Sequence, residues 1–302
     1  MIWTLPVFVP AYAKINLTLE VLGRRTDGFH EVASVMQTVA LGDTLMLHPA
    51  PDGTRTLVCD VPELSGEQNL ALRAAHLLAE TTGRAHGVAL DLHKETPTQA
   101  GLGGGSSDAA SVLLALTRLW EVPIAPAQAT RLAAELGSDV PFFLTAGTAK
   151  VGGRGEHVAP LPDMEPLWLV LLKPPVAVPT AEAFRALRPE EYTAAEATTA
   201  LAEAVARRDL VPFDLLRNAF ESPIERQYPA ITTAKAAMEA AGAGVVRLCG
   251  SGPTVFAPFR SLAQAAGVWR RLRADQHLVW LTRTVGRDEA HGQFARLERV
   301  GV

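Results

Sequence analysis

The sequence predicts a two-domain α+β protein, and three observations carry that prediction. Residues 12–22 alternate in the strand period, with Ile15, Leu17, Leu19 and Val21 on one face and Lys14, Asn16, Thr18 and Glu20 on the other. A glycine-rich loop at 97–107 runs straight into an apolar pattern at helical spacing, 109–120. Beyond Gly152-Gly153-Arg154-Gly155 the composition changes and a new apolar strand begins, Trp168–Leu172. The boundary is therefore expected near residue 160, giving domains 1–160 and 161–302, with the polar residues 285–302 as a loosely held tail.

The elements follow in order. The turn Gly23–Glu31, with Asp27-Gly28 at its tip, joins the first strand to a second at Val32–Val39 as a hairpin. Short strands are expected at Thr44–His48 and Thr56–Cys59, an amphipathic helix at Asn69–Glu80, and a strand at Val88–His93 feeding the glycine loop. The loop's helix ends near Pro123, and a further helix covers Pro126–Leu136. Pro174–Thr180 is a rigid connector before a helix carrying Phe184; alanine-rich helices are expected at 194–207 and 231–241, with a short one opening at Asn218–Glu221. Val245–Ala257 reads as strand, Gly250-Ser251-Gly252 turn, strand; a helix at Leu262–Arg273 and a strand at His277–Thr284 close the fold.

Composition narrows the function classes. The 302 residues are 48% hydrophobic and 20% charged, with a net charge of −4, and no basic stripe of the kind a nucleic-acid binder carries. Cys59 and Cys249 lie far apart and outside metal-ligand spacing, which fits free thiols in a reducing cytoplasm. The apolar N-terminus lacks a basic start and is interrupted by Pro6 and Pro10, so it reads as a strand rather than a leader. No uncharged apolar run reaches transmembrane length. The expectation is a cytoplasmic enzyme without nucleic-acid or membrane partners, a monomer or weak homodimer.

The chemistry concentrates around Pro97-Thr98-Gln99-Ala100-Gly101-Leu102-Gly103-Gly104-Gly105-Ser106-Ser107. Glycines let a backbone approach a polyanion closely, and a helix N-terminus presents unpartnered N–H groups at its positive end. The stretch reads as a phosphate cradle. It has no lysine for a Walker A loop and no third glycine in dinucleotide-loop spacing. The competing reading is a serine-capped turn without a ligand, which would not call for three consecutive glycines. Asp139 stands beside Phe142-Phe143, an expensive place for a carboxylate unless it is paired or at work; the alternative is a helix cap. Lys14 inside a strand is either a snorkelling surface lysine or a functional one, and Lys94 either a phosphate contact or a solvated strand end. Phe29-His30 suits stacking on and reading a planar base, and equally suits partly buried packing. An aspartate and a lysine facing a phosphate cradle are what phosphoryl transfer to a hydroxyl needs.

Together, Ala13-Lys14-Ile15-Asn16-Leu17, the loop Gly101–Ala110 and Leu248–Ala257 resemble the galacto-, homoserine, mevalonate and phosphomevalonate (GHMP) kinase superfamily. Within it, the Gly23–His30 turn, the triple glycine and Gly137-Ser138-Asp139-Val140-Pro141-Phe142-Phe143 resemble the 4-diphosphocytidyl-2-C-methyl-D-erythritol kinase family of the non-mevalonate isoprenoid route. The resemblance runs to about Thr284. It implies a ribosomal-S5-domain-2-like N-terminal domain, a ferredoxin-like C-terminal domain and an active site between them. It implies ATP at Pro97–Ser107, Asp139 as catalytic base and Lys14 orienting the attacking hydroxyl of a small-molecule cytidyl substrate, whose 2-hydroxyl is phosphorylated. Asn16 and His30 would contact that substrate, Phe29 and Phe184 would sandwich its base, Thr180 would lie nearby, and Gly250-Ser251-Gly252 would close over phosphate. Mg²⁺ is implied, with Ser107 as a ligand. The chain departs from the family pattern at Phe29, where tyrosine is common, at Thr98-Gln99-Ala100, and at Cys249. Mevalonate-type and homoserine kinases are the rivals within the superfamily, and should lack the Asp27–His30 turn; a nucleotide-binding relic should have lost Lys14 or Asp139.

Overall fold

In the computed structural model the described residues, 3–275 and 277–297, build two sheets. The first contains β1 (Val7–Arg24), β2 (His30–Ala50), β3 (Arg55–Cys59) and β4 (Gly87–His93). Helix α1 (Leu70–Thr82) precedes β4, and α2 (Gly104–Leu119), α3 (Pro126–Leu136) and the six-residue α4 (Val140–Thr145) follow it. Strands β5 (Thr148–Gly153) and β6 (His157–Pro160) return to the same sheet. The β1–β2 hairpin is its spine, and the free edge of β2 pairs with β5 through residues 32–37 and with β4 through residues 44–50. The two strands expected at 32–39 and 44–48 are thus one. A register shift opposite Tyr12/Ala13 absorbs the break in alternation at Ala40-Leu41-Gly42 as a bulge, and the strand bends instead of stopping.

The second sheet takes β7 (Trp168–Leu172), β9 (Arg247–Leu248), β10 (Val255–Phe259) and β11 (Val279–Arg283), all antiparallel, in the order β11-β7-β10-β9. Between β7 and β9 lie α5 (Thr180–Ala186), α6 (Glu196–Ala206), the two-residue β8 (Arg217–Asn218), α7 (Glu221–Gln227) and α8 (Pro229–Ala240); α9 (Leu262–Ala274) joins β10 to β11. This is the β-α-β-β-α-β order of a ferredoxin-like unit, as expected.

The sheets are tied into one body. Ala13, Ile15 and Leu17 of β1 share a buried cluster with Leu169 and Leu171 of β7 and Leu201 of α6, while β8 adds to the first sheet as a parallel neighbour of β1. On its other side the first sheet packs against α1 and α2 through Leu45, Leu47, Leu72, Leu78, Val112 and Leu116. The segment expected as a loose tail differs: Arg287–Leu297 forms α10, with Ala290, Phe294 and Leu297 buried, and Phe294 and Leu297 joining the core of the first sheet. Three apolar residues spaced four and three apart give an otherwise polar segment one face worth burying. The remainder of that expected tail, 298–302, lies outside the described residues. Cys59 and Cys249 are both free and buried.

Candidate active site

Both faces of β1 are covered, and that decides the fate of its polar side chains. Lys14, Asn16, Thr18 and Glu20 are all buried, so Lys14 is no snorkelling surface residue. Its ammonium donates to Asn16 Oδ1 at 2.8 Å and stands 3.4 Å from Asp139 Oδ2. Asn16 in turn donates to Ser34 Oγ at 2.8 Å, and Ser34 to the Thr18 carbonyl at 2.5 Å, a chain that fixes Asn16 and with it Lys14. Asp139 occupies the cap position of α4, yet its side chain makes no capping hydrogen bond. The helix-cap alternative therefore fails, and the carboxylate, 38% exposed, faces Lys14 and open space.

The glycine loop closes on Lys14 from one side. Lys14 N–H donates to the Leu102 carbonyl at 2.9 Å, while Leu102 and Ala100 anchor the loop in the core. Gly103, at φ +72°, caps α2 in the left-handed region. From the other side comes Gly250-Ser251-Gly252 between β9 and β10, and the two glycine loops meet backbone to backbone. A Cβ on Gly101 would collide with the Cys249 carbonyl, and one on Gly250 would stand 2.8 Å from the Gly101 carbonyl and 3.1 Å from Lys14 Nζ. Asn218 braces this turn, its amide donating at 2.8 Å to the carbonyls of both Leu248 and Gly250. Ser251 and Thr180 share a hydroxyl hydrogen bond of 3.1 Å.

Around this junction lies a cleft of about 1620 Å³. One end is lined by Val61, Leu64, Asn69 and Leu70, the middle by Pro97–Ser106, Lys14 and Asp139, and the other end by Phe29, His30, Phe184 and Tyr192. His30 stacks on Phe184 (centroids 4.9 Å apart, planes at 22°) and meets Tyr192 edge-on at 6.3 Å. Burial, with Arg24 adding to it, holds the His30 imidazole below its ordinary range, so the ring is neutral at pH 7 and offers one donor and one acceptor. Phe29 and Phe184 do line the same end, but the expected sandwich takes another form. His30 covers a face of Phe184, and Phe29, 49% exposed, carries the Arg154 guanidinium 4.6 Å from its centroid.

Ser107 departs from its expected place. It is buried and absent from the cleft wall, with its hydroxyl donating to the Tyr12 carbonyl at 2.6 Å; this bond moors α2 to β1. Ser106, the preceding residue, faces the cleft. At helical pitch two adjacent serines point about 100° apart, so only one can serve each purpose. Among the described residues no group of three or more His, Cys, Asp or Glu side chains is placed to hold a metal. Ser106, Ser138 and Asp139 are among the oxygen donors that line the cleft beside the glycine loop, a set that could help hold an ion carried mainly by nucleotide phosphates.

The comparisons with known proteins agree with this geometry. Residues 69–147 match the model of the GHMP kinases N terminal domain, and 201–277 that of the GHMP kinases C terminal domain. The chain is 42% identical over 276 residues to the 4-diphosphocytidyl-2-C-methyl-D-erythritol kinase of Pelotomaculum thermopropionicum, covering 91% of this chain and 96% of that one. The protein of the same name from Symbiobacterium thermophilum is 40% identical over 287 residues, 92% of this chain and 99% of that one. The chain belongs to the 4-diphosphocytidyl-2-C-methyl-D-erythritol kinase family. A crystal structure of a 4-(cytidine 5'-diphospho)-2C-methyl-D-erythritol kinase superposes with a TM-score of 0.79 at 37% identity, covering 93% of this chain and all of that one.

Membership in this kinase family leaves one cluster that sequence reasoning missed. Lys94 is buried between Asp43 and Asp108; its ammonium donates to Asp108 Oδ2 at 2.8 Å and to Asp43 Oδ2. The Glu95 and Thr96 N–H groups also donate to Asp43 Oδ1, at 2.8 and 2.7 Å. Burial would lower the Lys94 pKa, but the two carboxylates outweigh it and hold the ammonium above its ordinary range. Burial, with Asp43 aiding and Lys94 opposing, pushes the Asp108 carboxyl up to about 7. Lys94, Thr96 and Asp108 line the cleft beneath the glycine loop. Asp108 directly follows the two serines, which was the available signal; Asp43, 51 residues from its lysine, carries none.

Proposed function

We propose that the chain transfers the γ-phosphoryl group of ATP to the 2-hydroxyl of 4-diphosphocytidyl-2-C-methyl-D-erythritol, giving the 2-phosphate and ADP. The observation that carries this reading is the Lys14–Asp139 pair, which sits between a glycine loop on one side and a ring-lined pocket on the other. Adenine fits the apolar end at Val61, Leu64 and Leu70, beside Asn69, whose amide caps α1 at the Ala71 N–H and donates to the Leu64 carbonyl. The triphosphate then runs along the N–H groups of Gly103–Ser106 at the positive end of α2. Ser106 and the phosphates would hold Mg²⁺, which supplies charge neutralisation on the transferring group. Cytosine fits the other end, with its edge on His30 and its face on the aromatic rings.

In this arrangement the acceptor hydroxyl lies against Asp139 and Lys14. Asp139 takes the hydroxyl proton as the oxygen bonds to the γ-phosphorus and the bond to the ADP oxygen breaks. The Lys14 ammonium, held in place by Asn16, offsets the negative charge that builds on the oxygens.

The test is ADP release with magnesium and ATP against a panel of alcohols: the cytidyl methylerythritol, free methylerythritol phosphate, mevalonate, homoserine and galactose. Turnover confined to the cytidyl compound is expected. Turnover on mevalonate or homoserine would overturn the substrate pocket while keeping the phosphoryl-transfer machinery, and silence on all five would overturn the reading.

A further inference from the structure

The acceptor proposed above joins a base to a polyol through a diphosphate, and the base end and the reacting end of the cleft are both accounted for. The inference here rests on that reading and concerns what lies between them. The turn from β5 to β6 spans this interval. At one side it carries the Arg154 guanidinium on the ring of Phe29, 4.6 Å from the centroid. At the other side Gly155, at φ +126°, packs against the residue preceding Asp139, so closely that a Cβ on it would stand 2.6 Å from the Ser138 carbonyl oxygen. The turn is held at both shoulders: Gly153 N–H donates to Glu31 Oε1 at 3.1 Å and Arg154 N–H to Glu156 Oε2. Any chain of atoms that runs from Phe29 to Asp139 along this wall therefore passes Arg154.

Three guanidinium groups line this half of the cleft, those of Arg24, Arg154 and Arg185. Arg24 and Arg185 are exposed, and Arg185 donates to its own helix at the Ala181 carbonyl. Arg154 is half-buried, and among the described residues its guanidinium forms no ion pair or hydrogen bond; its charge rests on the face of Phe29 and is felt at longer range by the Asp27 and Glu156 carboxylates. An arginine so placed keeps its whole fork of donors for an anion, and that fork matches phosphate geometry.

We propose that Arg154 reads the diphosphate of the acceptor and is a specificity-determining residue for it. The cation–π contact to Phe29 holds the guanidinium out from the turn and towards the cleft, so base stacking and diphosphate recognition act as one unit. This gives Phe29 a second use that needs only the ring face, not a phenolic hydroxyl.

The experiment measures inhibition of the full-length enzyme by cytidine and by CDP, each competing with the cytidyl acceptor at saturating ATP, in wild type, Arg154→Ala and Arg154→Lys. In wild type CDP is expected to bind more tightly than cytidine. Arg154→Ala should cut that advantage by about tenfold or more, with cytidine itself moving less than about threefold, and Arg154→Lys should restore part of it through its charge. The KM for ATP, measured alongside, should stay within about threefold and so report an intact fold. An unchanged CDP-to-cytidine ratio in Arg154→Ala would overturn the proposal. Equal losses for the two ligands would also overturn it, leaving Arg154 as a support for Phe29 alone. If wild type turned over no cytidyl acceptor, the underlying function would fail instead, which is a different result from a ratio that Arg154 does not control.

Discussion

The two ends of the cleft are built from different materials. The end proposed for the nucleotide is made of backbone: the glycine loop 101–105, the first turn of α2, and the Gly250–Gly252 turn pressed against it. The end proposed for the acceptor is made of side chains from distant parts of the chain, with His30 of β2 against Phe184 of α5 and Arg154 of the β5–β6 turn over Phe29. A backbone-built site tolerates almost no added atom, because its recognition groups are the peptide units themselves. A side-chain-built site loses one contact at a time. Damage to the first end should therefore be all-or-none, and damage to the second graded.

The sharpest break in this contrast comes from Gly101→Ala. The new methyl group meets the Cys249 carbonyl, and φ at this position is +76°, so the two glycine loops can no longer close on each other. We expect kcat/KM to fall by about a hundredfold or more, with lowered thermal stability, read by steady-state kinetics and calorimetry. Activity within a few-fold of wild type would show that the loops do not need their close contact.

A graded effect is expected from His30→Ala. The neighbouring rings remain, so the KM for the cytidyl acceptor should rise by about tenfold while the KM for ATP stays close to wild type. A shift in the ATP KM instead would place the base pocket elsewhere.

The smallest effect sharpens the nucleotide end, where the buried Lys94–Asp43–Asp108 cluster supports the loop. The folded-state pKa of Asp108 is raised to about 7 against an ordinary 3.8. A carboxyl raised in this way binds its proton more tightly in the folded state, so its contribution to stability is full below the ordinary value and is lost as pH rises through about 7. Asp108→Asn removes that titration while keeping an oxygen for Lys94. The drop in melting temperature between pH 6 and pH 8 should shrink in this variant; a drop as large as in wild type would show that another group carries the pH dependence.

The same contrast explains what could be read from sequence. The backbone-built end was legible because its requirements are local: Gly101–Ser106 and Gly250–Gly252 are short runs whose composition states their conformation. The first strand, the loop helix and the β7–β11 unit were legible for the same reason, each carrying its own period. The placement of Ser107 was not, since two adjacent serines look alike until the direction of α2 is fixed against Tyr12. Asp43 stands in an unremarkable stretch and Arg154 in a glycine run that signals only a turn, and both acquire their partners only through pairing of β2 with β4 and β5. The helix 287–297 hid its three buried residues in a polar segment whose partner surface, on α2 and β1, lies more than 150 residues earlier. Lys14 shows the boundary case: the strand was evident, but whether its polar face met water or protein depended on what covered it.

Phosphoryl transfer is proposed to happen at Lys14 and Asp139, where the two ends of the cleft meet. Asp139→Asn tests it most directly, because the amide keeps the shape and removes the proton acceptor. Turnover of the cytidyl acceptor should fall by about a hundredfold or more while ATP binding, measured by titration, stays near wild type. Near-wild-type turnover in Asp139→Asn would contradict the claim.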